Sequence, residues 1–206
     1  MSPRATDPAV DQIRTVAAGA PGLDALLPLI TVCRACPGLA DERLSVVPGD
    51  FPRGARLLVV GEAPGAQEDQ AGRPFVGKGG QLLDRLLGDV GVRRAEIAVA
   101  NVLKCRPPNN RQPTRAEANR CRGWLDRQLQ LVDPELVVTL GGTALAWALG
   151  PGRRLADVRG RVHDWNDRKL VATYHPSAAL RFGPAGAPMA ALRSDLALAA
   201  ETLRGA

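Results

Sequence analysis

Four short apolar runs, separated by segments with helical spacing, constrain this 206-residue chain more than any other feature. Arg56-Leu-Leu-Val-Val-Gly61, Ile97 to Leu103, Leu136 to Leu140 and Leu170 to Thr173 have the length of strands buried on both faces. Between them, Gly79 to Val90 sets Leu82, Leu83, Leu86 and Leu87 on one helical face. Arg115 to Leu131 is a second helix, opened by Thr114 with Glu117 three positions later, the pattern of a capping box. Gly141-Gly142 leads into a short Ala/Leu helix, and Met189 to Leu203 forms the closing one. Strands alternating with helices predict an α/β fold with a mainly parallel sheet covered on both faces. Val162 and Leu170–Thr173 flank a turn at Trp165-Asn166-Asp167, so a hairpin leads into the fourth strand. Within the N-terminal residues 1–31, residues 7–31 carry two apolar helical patterns, Val10 to Ala18 and Leu23 to Ile30, broken at Pro21-Gly22. We expect them to pack on a single domain spanning 1–206.

Functional loops of such sheets lie at the strands' carboxyl ends. Those ends carry Gly61-Glu-Ala-Pro-Gly65, Asn101, Gly141-Gly142 and His175-Pro-Ser177. Glu62 follows its strand directly, where a side chain projects into a cleft. Asn101 offers a donor and an acceptor together, matching the edge of a pyrimidine base. His175 has the chemistry to donate to a developing negative charge. Phe75, in Gly72-Arg-Pro-Phe-Val-Gly77, is either a loop anchor or a stacking platform. Each residue taken singly equally suits a solvated turn or a cap. His163, in the hairpin, reads as a packing residue. No phosphate-binding P-loop is present, since Lys and Ser/Thr are missing at the required places.

The cysteines are more specific. Cys33-x-x-Cys36 lies far upstream of Cys105, and Cys121 follows after a helix start. A zinc knuckle has a second close pair, whereas one pair plus two separate thiols suits a four-thiolate iron–sulfur cluster. Every one of the four stands within two positions of an Arg or Lys, and positive neighbours favour thiolates.

Charge narrows the partner. Lys and Arg number 27 against 21 Asp and Glu, a net +6, with Lys only at Lys78, Lys104 and Lys169. A basic domain suits a phosphate backbone, although an Arg-rich codon bias produces the same balance. Aromatics are 3%, which excludes a platform stacking several bases. No stretch approaches the roughly 18 apolar residues of a membrane helix, and the first residues lack a signal-peptide pattern. A cytoplasmic protein without membrane contact is expected.

With these residues in view, the chain resembles the family-4 uracil-DNA glycosylases from about Cys33 to the C-terminal helix. The landmarks are Val46-Val-Pro-Gly49, Gly61-Glu-Ala-Pro-Gly65, Gly72-Arg-Pro-Phe-Val-Gly77, Asn101-Val-Leu-Lys-Cys-Arg-Pro-Pro108, Asn110-Arg-x-Pro113 and His175-Pro-Ser177, in that order. The resemblance implies a three-layer αβα sandwich around a four-stranded, mainly parallel sheet. It implies a [4Fe–4S] cluster on Cys33, Cys36, Cys105 and Cys121, mostly structural in role. Gly61, Glu62 and Ala63 would floor a uracil pocket and position water, Phe75 would stack on the base, Asn101 would read its edge, and His175 would bond O2. Arg106, Arg111, Ser177 and Arg181 would meet the DNA backbone, and Arg181-Phe182 would wedge into the space left by a flipped nucleotide. The implied partner is uracil-containing DNA, single- or double-stranded, met by a monomer.

Two departures refine this. Family-1 enzymes use an Asp where this chain has Ala63, so Glu62, Glu68 or Asn110 must handle the water; Glu62 is favoured because it follows the strand. Some relatives insert a basic loop with a His that bonds the abasic sugar. Arg106 to Pro113 has neither, so ordinary hydrolysis is expected. The competing readings are a non-catalytic DNA-binding or polymerase-associated module on the same fold, and a glycosylase for another deaminated base.

Overall fold

The computed structural model describes residues 7–205. Residues 1–6 of the expected N-terminal segment lie outside the described residues. The first helices are α1 (Pro8–Gly19), α2 (Leu23–Thr31) and the one-turn α3 (Pro37–Ala40). β1 (Leu57–Gly61) follows, then α4 (Ala66–Ala71), α5 (Lys78–Asp89) and β2 (Ile97–Asn101). Next come α6 (Arg115–Val132), β3 (Leu136–Leu140), α7 (Gly141–Leu149) and α8 (Leu155–Val158). β4 (Val162–Trp165), β5 (Arg168–Thr173), α9 (Pro176–Phe182) and α10 (Ala187–Arg204) complete the chain.

The sheet has five strands in the order β2-β1-β3-β5-β4, where the sequence suggested four. The additional strand is β4, the first arm of the expected hairpin, which pairs antiparallel with β5 at the sheet edge. Its residues are half-exposed, so it lacks the unbroken apolar run by which the other four were found. Asn166 and Asp167 both have positive φ, 47° and 61°, the two-residue turn whose twist matches a hairpin.

Side chains alternate across the parallel strands and separate two cores. Leu58, Val60, Ala98, Ala100 and Val137 face α1, α2, α6 and α7, where Ile13, Leu26, Ile30, Trp124, Leu125 and Trp147 pack. Leu57, Val59, Ile97, Val99, Leu136 and Val138 face α5, α9 and α10, whose Leu83, Leu87, Ala179 and Leu192 are fully buried or nearly so. Thr114 caps α6 as anticipated, with Glu117 returning its side chain to the Thr114 N–H at 2.8 Å. α9 was not foreseen: Pro176 at its first turn pre-sets helical φ, but seven residues give too little periodicity to detect.

The chain leaves β1 toward β2 on one side and leaves β3 toward β5 on the other. The crevice of the sheet therefore opens between the carboxyl ends of β1 and β3, where crossovers diverge.

Candidate active site

β1 and β2 end side by side, with Gly61 paired to Asn101. Asn101 is 2% exposed, and its Oδ1 has no hydrogen-bond partner among the described residues. A Cβ on Gly61 would stand 2.5 Å from both Asn101 Oδ1 and Phe75 Cζ, so only glycine leaves the space these groups share. Phe75 is held with φ 56°, a conformation that costs a non-glycine residue about 1–2 kcal/mol. Gly80, at the start of α5, permits it: a Cβ there would fall 1.7 Å from the Phe75 carbonyl oxygen. These constraints leave a recess walled by Ala63, Glu68, Phe75, Gly79, Gly80, Asn101 and His175.

His175 is the N-cap of α9. Its Nδ1 accepts the Ser177 backbone N–H at 3.2 Å, and the Ser177 hydroxyl lies 2.8 Å away. An accepting Nδ1 puts the ring proton on Nε2. Burial lowers its pKa to about 4, opposed by the nearby Glu68 charge, so the ring is a neutral donor at physiological pH. The Phe75 and His175 rings stand 6.0 Å apart at 33°.

A groove shares Ala63, Gly79 and His175 with the recess and is also lined by Glu62, Asn110, Arg111, Ser177 and Arg181. The structure thus brings together most of the residues singled out in the sequence. Arg106 is the exception, since it does not line the groove but donates to Asn110 Oδ1 at 2.8 Å. Arg111 is held by both carboxylate oxygens of Glu117, at 2.9 and 2.6 Å. Arg181 is exposed with Phe182 beside it, 65% exposed.

The three water-handling candidates differ in what occupies them. Glu68 accepts the Gly65 and Gly77 N–H groups, at 3.1 and 2.8 Å, and so ties two loops together. Asn110 spends its oxygen on Arg106. Glu62 meets a single side chain, the Thr143 hydroxyl, at its Oε2.

On the other face of the sheet all four cysteines line one cavity, with Arg43, Lys104, Arg120 and Trp124 in its wall. Arg43 Nη1 donates to Cys105 Sγ at 3.0 Å and the Lys104 N–H to Cys121 Sγ at 3.3 Å. Arg43 escaped the sequence reading because nothing local ties it to a cysteine far along the chain. Burial pushes the Cys105 thiol up to about 11, against the pull of Arg43, and Cys121 up to about 12, against Lys104. Cys36 is raised as well, again by burial. The basic neighbours do favour thiolates, as Arg43 does at Cys105, Lys104 at Cys121 and Arg120 at Cys36, but burial outweighs them in the absence of a bound metal. Among the described residues, no three Cys, His, Asp or Glu stand close enough for one metal ion, as a zinc site requires. A polynuclear cluster spreads its ligands wider, and Trp124 adds a buried indole N–H with no partner. The donor set fits such a cluster.

Lys104 is the buried residue that sequence reasoning passed over. It is 1% exposed, and its Nζ donates to the Asn101 carbonyl at 2.8 Å and to Gln128 Oε1 at 2.6 Å. Burial lowers its pKa to about 8, partly offset by Cys121 and Cys105.

A recess with a buried amide and an aromatic ring in its wall, opening on a groove with Arg111 and Arg181 at the sheet's switch point, has the form of a site for a planar ring. Comparison with known proteins agrees. The family model of the uracil DNA glycosylase superfamily matches residues 48–197. A type-4 uracil-DNA glycosylase of Thermotoga maritima is 44% identical over 72% of this chain and 78% of its own. One from Pyrobaculum aerophilum is 42% identical over 77% of this chain and 85% of its own. A type-5 uracil-DNA glycosylase of Mycobacterium tuberculosis is 32% identical, over 79% and 75%. The chain belongs to the uracil DNA glycosylase superfamily, and within it to the type-4 group.

Proposed function

We propose that this chain hydrolyses the N-glycosidic bond of deoxyuridine in DNA, releasing uracil and leaving an abasic site. The observation that carries the reading is the buried, unpartnered Asn101 Oδ1 at the end of the recess. Leaving an acceptor buried and unpaired costs about 1–3 kcal/mol, which a ligand's N–H recovers. Uracil offers N3–H to Oδ1 and O4 to the amide NH₂, while Phe75 covers the ring. His175, donating from Nε2, meets O2 as negative charge develops there. A neutral donor suits this task, because it needs no reprotonation between turnovers. Glu62 orients the water and balances positive character on the sugar, being the least engaged of the three candidates; Glu68 and Asn110 shape the loops around it. Preorganised electrostatics is the main source of rate.

The base must leave its stack to reach the recess, so single strands and mismatched pairs are the easier substrates. Arg111, Ser177 and Arg181 line the groove for the backbone, with Arg106 supporting through Asn110. Phe182, exposed beside Arg181, is the wedge. Cys33, Cys36, Cys105 and Cys121 would hold a [4Fe–4S] cluster that fastens α1–α3 to α6 and supplies structural cohesion. The chain acts as one domain and a monomer in the cytoplasm; no described helix is long and apolar enough to cross a membrane.

The test is product release from oligonucleotides carrying uracil, hypoxanthine or xanthine, single-stranded or opposite guanine and adenine. Uracil release is expected. Preferential hypoxanthine release would point to another deaminated base, and no release from folded protein to a non-catalytic module.

A further inference from the structure

We infer that Thr143 is a positioning residue that fixes the Glu62 carboxylate for water activation, an inference that rests on the reading of Glu62 given above. Glu62 follows β1 and Thr143 stands in the first turn of α7, directly after β3, so the pair spans the switch point of the sheet. The Thr143 hydroxyl donates to Glu62 Oε2 at 2.5 Å. Among the described residues, no other group bonds that carboxylate, which leaves Oε1 for a water molecule. Thr143 does not line the groove in which Glu62, Asn110 and His175 meet. It lies behind Glu62, against a separate hollow shared with Arg115 and Trp147. Its effect on reaction is therefore carried through Glu62 rather than by contact with DNA. A glutamate side chain has several rotamers, and a single charge-assisted bond from a rigid helix turn selects one of them. The first turn of α7 also presents its amide N–H groups, which favour an anion beside it.

The experiment measures single-turnover uracil release and substrate DNA affinity for Thr143→Val, Thr143→Ser, Glu62→Gln and the Thr143→Val/Glu62→Gln double variant. Thr143→Val keeps shape and removes the hydroxyl; we expect release on the order of tenfold slower, with DNA affinity unchanged. Thr143→Ser restores the hydroxyl and most of the rate. In the Glu62→Gln background, Thr143→Val has no further effect, because the carboxylate through which it acts is already gone. Equal losses in both backgrounds overturn the proposal, as does a wild-type rate for Thr143→Val while Glu62→Gln is slow. A wild-type rate for Glu62→Gln overturns the reading of Glu62 itself, and the proposal with it. Should Thr143→Val lower the melting temperature, Thr143→Ala repeats the comparison without a methyl group in the hydroxyl's place.

Discussion

At the scale of single residues, the site is governed by groups whose burial changes what they do. His175 is the clearest. Its pKa in the folded chain, about 4, lies below the ordinary 6.5, so the folded state resists the proton that the unfolded state accepts. The stability it contributes is complete above pH 6.5 and is lost as pH falls from there toward 4. Melting temperatures across that window should fall in the wild type and fall less in His175→Ala. Equal slopes would show that His175 is not buried as a neutral ring. Asn101 and His175 were legible as candidates because each stands at or just after a strand's carboxyl end, and Phe75 as one of three Phe, placed in a loop. What no residue letter conveys is which polar atom is left without a partner. That depends on Gly61 and Gly80 keeping the space open, and on Arg106 and the loop N–H groups occupying Asn110 and Glu68.

At the scale of elements, the start of α5 and the loop before it form one unit. Gly80 lies against the Phe75 carbonyl, and Glu68 in α4 holds Gly77 ahead of the helix. Gly80→Ala must push the Phe75 backbone away, since the added Cβ would fall 1.7 Å from its carbonyl oxygen, and so displace the ring that walls the recess. We expect more than tenfold loss of uracil release, an order-of-magnitude figure for misplacement by about an ångström. The melting temperature should fall as well; a variant with normal release would contradict the account of this loop. The main strands and long helices were readable from apolar runs and leucine spacing, since the two cores on either face of the sheet impose those patterns. β4 was foreseen only as a hairpin arm and not as a fifth strand, because an edge strand buries little, and α9 was missed because a seven-residue helix shows less than two periods.

At the scale of the whole molecule, the sheet separates two sites that share a connection. The recess lies at the carboxyl ends of β1 and β2, the cysteine cavity beyond them, and Lys104 bonds the Asn101 carbonyl while its own N–H meets Cys121. Burial raises the Cys105 and Cys121 thiols well above neutrality, so without a metal they are neutral thiols. Cys105→Ser should reduce iron content, visible absorbance and melting temperature together; an unchanged spectrum would remove Cys105 from the ligand set. The cysteine spacing made this cavity foreseeable, but Arg43 and Lys104 join it only through the tertiary fold. The central claim, that Asn101 reads a uracil drawn into the recess, is tested most directly by comparing wild type and Asn101→Ala on a uracil-containing oligonucleotide. Single-turnover release and DNA affinity are measured on the same samples. The account predicts that wild type releases uracil and that Asn101→Ala slows release by on the order of a hundredfold while binding DNA nearly as well. Equal losses of release and affinity, or release at the wild-type rate, would contradict it.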